Sequence, residues 1–217
     1  MTKLTGSEIA ARTPDGWVYL LGTLNARLTT GDFATGLALV AAIGAAAEEA
    51  DHHPDLDLRY TYVDVRLWSH DVDVVTGRDI RLATRISELA AEAGVALDPA
   101  GPSRVEMALD SPAPKAVAPF WAAVLGAEQR SAEGFGDEVR KADGTVPTVW
   151  FQESGDTEPR QHWHPDLWLD PSQVQPRIDA ALAAGGTLVT DENAPSFWVL
   201  ADPEGNKVCL CTWQDRR

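Results

Sequence analysis

Three of the five histidines in this 217-residue chain fall in one short stretch, EEADHHPDLDLRYTYVDVRLWSHD, from Glu48 to Asp71: they are His52, His53 and His70. An imidazole at its ordinary pKa of about 6.5 both gives and takes a proton at neutral pH, so two of them on opposite sides of one small substrate make an acid/base pair. Asp79, a little further along, adds a carboxylate. The same residues also suit two other chemistries. Adjacent histidines at a helix end can bond the last carbonyls and complement the dipole, and imidazoles together with Asp51 or Asp71 can ligate a metal ion. Neighbouring residues on extended backbone point apart, however, and the stretch has no HxH or HxxxH pair to converge on an ion, which favours proton transfer over metal binding.

The segments around these residues predict how they are held. FATGLALVAAIGAAAEEA, Phe33 to Ala50, predicts a buried helix with Leu37, Val40, Ala41 and Ile43 inward, ending at the histidine pair. In LRYTYVDVRLW, Leu58 to Trp68, Val63, Val65 and Leu67 alternate with Asp64, Arg66 and Trp68 as a half-buried strand does, so a strand separates His53 from His70. TGRDIRLATRISELAAEAG predicts a second helix. Thr76 caps it, Asp79 stands in the capping-box position, and Ile80, Ala83, Ile86, Leu89 and Ala90 form its apolar stripe. Residues 1–97 therefore read as an α+β domain, an antiparallel sheet with helices on one face. LDPAGPS breaks the periodicity and reads as a linker over 98–103.

Residues 104–217 contain an internal repeat. VEMALDSPAPKAVAPFWAAVLGAE from Val105 and PDLWLDPSQVQPRIDAALAAGGT from Pro165 share a strand, a Leu-Asp, a proline-containing helix start and a glycine exit. They align Glu106 with Asp166 and Asp110 with Asp170, and predict two paired βαβββ modules. A net charge of −15 spread over both halves repels phosphate backbones and anionic lipid, so neither nucleic acid nor membrane is an expected partner. No apolar h-region opens the chain and no apolar run approaches the roughly 18 residues of a membrane span, so the expectation is a cytoplasmic protein. Cys209 and Cys211, two apart on a strand-like run, are expected as reduced, buried thiols.

DHHP from Asp51, then Tyr60, His70 and Asp79, with DGWVYLLGTLNARL and GDF upstream, resemble the pterin-4a-carbinolamine dehydratase family over roughly residues 1 to 97. The resemblance implies conversion of a 4a-hydroxytetrahydropterin to the quinonoid dihydropterin plus water, without metal or organic cofactor, in a homo-oligomer. It makes His52 and His70 the acid/base pair and has Asp79 orient or charge-stabilise a histidine. It places Asp51, His53 and Pro54 against the pterin, with Pro54 fixing the turn. Family members often carry an aromatic residue where this chain has Leu56.

The second half resembles the glyoxalase-like branch of the vicinal oxygen chelate superfamily through APFWAAVLGAE and WVLADPEGNKVCL. Metal-using members place ligands on the first strand of each module and a glutamate on the strand after DPxGN. Here His164 stands at one such position, but Arg104 is its counterpart and Cys209 replaces the glutamate, and an arginine cannot ligate. The expectation is no bound metal, with His164 the one candidate ligand. Trp150, Trp163, Trp168, Trp198 and Trp213 are expected in the core, at an interface, or around a cup that stacks a flat heterocycle. Two rival readings of the whole chain are a noncatalytic oligomerising small-molecule-binding protein and a metal-dependent enzyme of glyoxalase or dioxygenase type.

Overall fold

Alternating apolar residues build the first sheet. Strand β2 (Thr23–Thr29) pairs antiparallel with β4 (Tyr62–Leu67), setting Leu24, Ala26 and Leu28 beside Leu67, Val65 and Val63. All six are buried on one face. β3 (Asp55–Leu58) extends the sheet beyond β4, and β1 (Val18–Leu20) and β5 (Ala96–Leu97) share the other side of β2 at its two ends. Helices α2 (Phe33–Ala50) and α3 (Gly77–Glu92) bury Leu39, Ile43, Leu82, Ala83, Ile86 and Ala90 in the same core as those strands, and the short α1 (Gly6–Arg12) adds Ile9.

The computed structural model describes residues 4–132, 136–141, 144–154, 163–201, 205 and 207–216. It separates into two units, Met1–Ser103 and Arg104–Arg217.

Three details differ from the sequence expectations. In α2 the buried stripe is Gly36, Leu39, Ile43 and Ala47, while Leu37 and Ala41 face solvent. Gly36 lies in this stripe, where a Cβ would stand 2.7 Å from Leu58 Cδ1. By length and composition α2 could cross a bilayer, yet this stripe packs into the core. Second, the run from Leu58 to Trp68 is not one strand: Leu58 ends β3, and β4 begins at Tyr62 after a turn in which Arg59 N–H donates to Tyr62 O. Third, the segment read as a linker folds back on the first unit. Asp98 N–H donates to Arg27 O at 2.8 Å, and Gly101 lies so close to Arg27 that a Cβ would meet its Cδ at 2.6 Å. A fragment ending at Ser103 is therefore expected to melt cooperatively on its own, while one ending at Leu97 melts lower; thermal circular dichroism of both checks this.

The second unit is an eight-stranded sheet built twice over. β6 (Arg104–Ser111), α4 (Pro114–Leu125), β7 (Glu128–Ala132), β8 (Gly136–Arg140) and β9 (Thr148–Glu153) form one βαβββ module. β10 (Trp163–Trp168), α5 (Pro171–Ala183), β11 (Thr187–Thr190), β12 (Phe197–Ala201) and β13 (Lys207–Cys211) form the other. The strand order is β11-β12-β13-β10-β6-β9-β8-β7, so the modules join where the two first strands, β10 and β6, run antiparallel. Each module has its own apolar cluster, one around Leu109, Val149 and Phe151, the other around Leu169, Ile178 and Leu210.

Candidate functional site

The end of α2 delivers His52. Asp51 takes a left-handed conformation (φ 46°) as the C-cap, its N–H still bonded to Ala47 O and Glu48 O, and the chain reverses there. His52 N–H then bonds Ala47 O at 3.1 Å, and the ring passes from an exposed helix end to 6% exposure. The start of α3 delivers the partner: Asp79 is fully buried in the first turn. His52 Nε2–H donates to Asp79 Oδ1 at 2.7 Å.

Asp79 Oδ2 has a separate set of donors. Thr76 N–H reaches it at 2.7 Å, Ser69 Oγ at 2.8 Å and Thr76 Oγ1 at 3.2 Å. The first of these belongs to the capping box, so one carboxylate closes the helix with one oxygen and holds a histidine with the other. A buried charge without such donors would cost several kcal/mol or more; charge-assisted hydrogen bonds offset that cost. Chemically, a carboxylate on Nε2–H fixes the tautomer, leaves Nδ1 as the ring's basic position, and stabilises the imidazolium formed when Nδ1 takes a proton.

His70 arrives from the other side of the same network. Ser69 is its neighbour in sequence and a donor to Asp79, and a bridge between Ser69 and Val74 closes the turn that carries His70. The His70 ring is exposed and lies 4.0 Å from the Trp68 ring, centroid to centroid. Trp68 is buried, with the Arg66 guanidinium 4.5 Å from its ring centroid, and Arg66 Nε–H donates to Asp55 Oδ2 at 2.9 Å. Asp55, Arg66, Trp68 and His70 thus form a chain of contacts across β3 and β4. In the turn, Asp71 pairs with Arg78; that hydrogen bond, with the Arg78 charge, holds the Asp71 carboxyl below the usual range. Arg78 Nε, in turn, is buried without a hydrogen-bond partner among the described residues.

The remaining sequence candidates lie around this pair. His53 is exposed, with Nε2 3.1 Å from Glu48 Oε1, while Pro54 is half-buried and leads into β3. Asp51 is exposed. Leu56 packs against the core. Tyr60 is 75% exposed and contacts none of these groups in the described hydrogen bonds. Sequence reasoning missed Ser69, Trp68 and Arg78. The only available signal was their position beside His70 and Asp79.

In the second unit His164 Nε2 is 3.5 Å from Asp166 Oδ1, and Asp166 pairs across the sheet with Glu106 on one side and Cys209 on the other. Trp150 Nε1–H donates to Asp166 Oδ2 at 2.9 Å, and Trp168 Nε1–H to Glu106 Oε2 at 2.7 Å. Burial pushes the Glu106 carboxyl up to about 7, over the lowering effect of the Trp168 bond. Burial, then the Asp166 charge, pushes the Cys209 thiol up to about 12. Trp163 and Trp198 pack against the apolar clusters, Trp168 is buried, and both cysteines are free and buried. His162 lies outside the described residues.

Residues 2–89 match the family model for pterin 4 alpha carbinolamine dehydratase, and residues 106–211 match that for a glyoxalase-like domain. A protein of Halobacterium salinarum named for pterin-4-alpha-carbinolamine dehydratase is 34% identical over 86 residues, 40% of this chain and 94% of its own. A transcriptional coactivator/pterin dehydratase from Brucella melitensis is 33% identical over 41% of this chain and 99% of its own, with a TM-score of 0.39. A pterin dehydratase-like protein identified as a RuBisCO assembly factor in the alpha-carboxysome is 27% identical over 34% of this chain and 88% of its own, with a TM-score of 0.30.

Proposed function

Because the chain belongs, through its first unit, to the pterin 4 alpha carbinolamine dehydratase family, we propose that this unit converts a 4a-hydroxytetrahydropterin to the quinonoid dihydropterin and water. The C4a–O bond breaks as the hydroxyl gains a proton, N5–H loses its proton, and a C4a=N5 bond forms. The reaction needs one base and one acid. His52 is the base: Asp79 holds its Nε2–H, so Nδ1 takes the N5 proton. His70, exposed and packed against the Trp68 ring, gives a proton to the departing hydroxyl. His53, with Asp51 and Pro54 beside it, holds the pterin.

The observation that carries this reading is the buried His52–Asp79 hydrogen bond, with Asp79 fixed by Ser69 and Thr76. Stopped-flow absorbance of 4a-hydroxytetrahydropterin decay tests it: purified protein should accelerate dehydration well above the buffer rate. Decay at the buffer rate would leave the noncatalytic binding reading. A homo-oligomer is part of the proposal, supported by Phe33 and Leu37, large apolar residues 47% and 54% exposed on α2. Light scattering would show the association, and Leu37→Glu should weaken it. The cytoplasm is the proposed location, consistent with the acidic composition and two free thiols.

Trp68 has a role of its own in this scheme. Trp68→Leu is expected to lower kcat about tenfold, because the ring that orients His70 is lost, while Trp68→Phe keeps most of it. Turnover measured against pH separates this from simple destabilisation: the Leu variant should change the profile set by the acid, whereas a merely less stable protein keeps it.

A further inference from the structure

The strand period of two puts Arg66, Trp68 and His70 on one face of β4 and of the turn that follows it, opposite the core residues Val63, Val65 and Leu67, while Ser69 between them turns inward to Asp79. Three side chains therefore stand in a row. The Arg66 guanidinium carbon lies 4.5 Å from the Trp68 ring centroid, and the His70 ring centroid lies 4.0 Å from the same ring at an interplanar angle of 34°. One indole thus contacts both a guanidinium and an imidazole.

The row is anchored at its far end. Asp55 on β3 is the cross-strand partner of Arg66, and its Oδ2 accepts from Arg66 Nε–H at 2.9 Å and from an Nη2–H as well. The Arg66 side chain is 16% exposed and Trp68 is buried, whereas His70 reaches solvent. An imidazole at the tip of a short turn rotates freely in water unless a neighbour fixes it, and here the neighbour is a ring that a guanidinium holds in place. Charge enters too. Arg66 and a protonated His70 are both cations against one ring, each attracted to its π face and each repelling the other, and the Asp55 carboxylate offsets that repulsion. The other charged groups around His70 are Asp71 and Asp73 in its own turn and Arg78 of α3, which pairs with Asp71, with the His52–Asp79 pair on the inner side.

We propose that Arg66, braced by Asp55, is a positioning residue for His70, acting through the Trp68 ring and not on the reacting atoms. The proposal rests on His70 being the acid of the dehydration. It adds to the site two residues of the sheet, on β3 and β4, that no pterin contact requires.

Two measurements on the full chain test it. With five histidines in the protein, the imidazole Cε1–H signals in an NMR spectrum are few enough to assign by substitution, and that of His70 should carry the ring-current shift of the adjacent indole. Arg66→Gln should move this signal toward the position it takes in Trp68→Leu, with the His52 signal unmoved. In stopped-flow decay Arg66→Gln should lower kcat about three- to fivefold with KM unchanged, and should have no further effect in a His70→Ala background. The alkaline limb of kcat/KM should move to higher pH in Arg66→Gln, which removes a cation, and to lower pH in Asp55→Asn, which leaves one uncompensated. A merely less stable protein shifts neither limb. A His70 signal that stays in place in Arg66→Gln overturns the proposal, and so does an Arg66 effect that persists undiminished when His70 is alanine, or a limb that is fixed in both variants. Wild-type protein that does not dehydrate the substrate would remove the functional reading instead, and the NMR shift would then decide the positioning alone.

Discussion

Asp79→Asn is expected to lower dehydration turnover by roughly 10²–10⁴-fold, the range an acid/base group contributes. An amide has one acceptor oxygen where the carboxylate has two. If its oxygen faces the cap, the NH₂ meets His52 Nε2, which must give up its proton, and Nδ1 then carries N–H and cannot act as base. Turned the other way, the amide nitrogen faces Thr76 N–H and the Ser69 hydroxyl, orphaning a buried donor. Either orientation breaks one function of the residue. Asp79→Ala breaks both and should also destabilise the first unit by roughly 2–5 kcal/mol, through lost hydrogen bonds and buried donors left unpaired. Urea unfolding and stopped-flow decay read the two effects apart: wild-type turnover in a folded Asp79→Asn protein would remove the base assignment.

This double use of Asp79 marks how far the sequence was legible. Thr76 and Asp79 read as a capping box from spacing alone, and the box is there. That the second carboxylate oxygen reaches His52 depends on the left-handed turn at Asp51, which nothing local announces, since aspartate adopts it without a glycine. The α2 register was hidden for a different reason. Its alanine-rich composition is apolar on every side, so periodicity could not choose between Leu37 and Leu39; the fold buries Leu39 and leaves Leu37 exposed. Between β3 and β4 the turn has no glycine or proline, and it is held by a hydrogen bond between Arg59 and Tyr62 that leaves no compositional mark. The paired βαβββ modules were visible because a repeat is a property of the sequence itself. Asp166 was aligned with Glu106 by that repeat, but its contact with Cys209 is a property of strand pairing, and the parallel register of β10 and β13 appears only in the fold.

Replacing His52 or His70 by alanine should each reduce kcat at least about tenfold, whereas His53→Ala should chiefly raise KM. The division follows from exposure and partners. His52 is buried against a fixed carboxylate, an arrangement suited to moving a proton, while His53 projects into solvent beside Glu48 and has no comparable support. Because His52 and His70 serve one step, the double variant should lose less than the product of the single losses, the residual rate coming from binding alone. The pH–rate profile gives a second readout. With a base and an acid both required, kcat/KM should be bell-shaped, and each single variant should flatten the limb its imidazole controls: the acidic limb for His52→Ala, the alkaline limb for His70→Ala. Exchange of the two limbs would reverse the roles while keeping the pair. A double variant that turns over at the wild-type rate would exclude the pair altogether and leave the first unit a pterin-binding or assembly module.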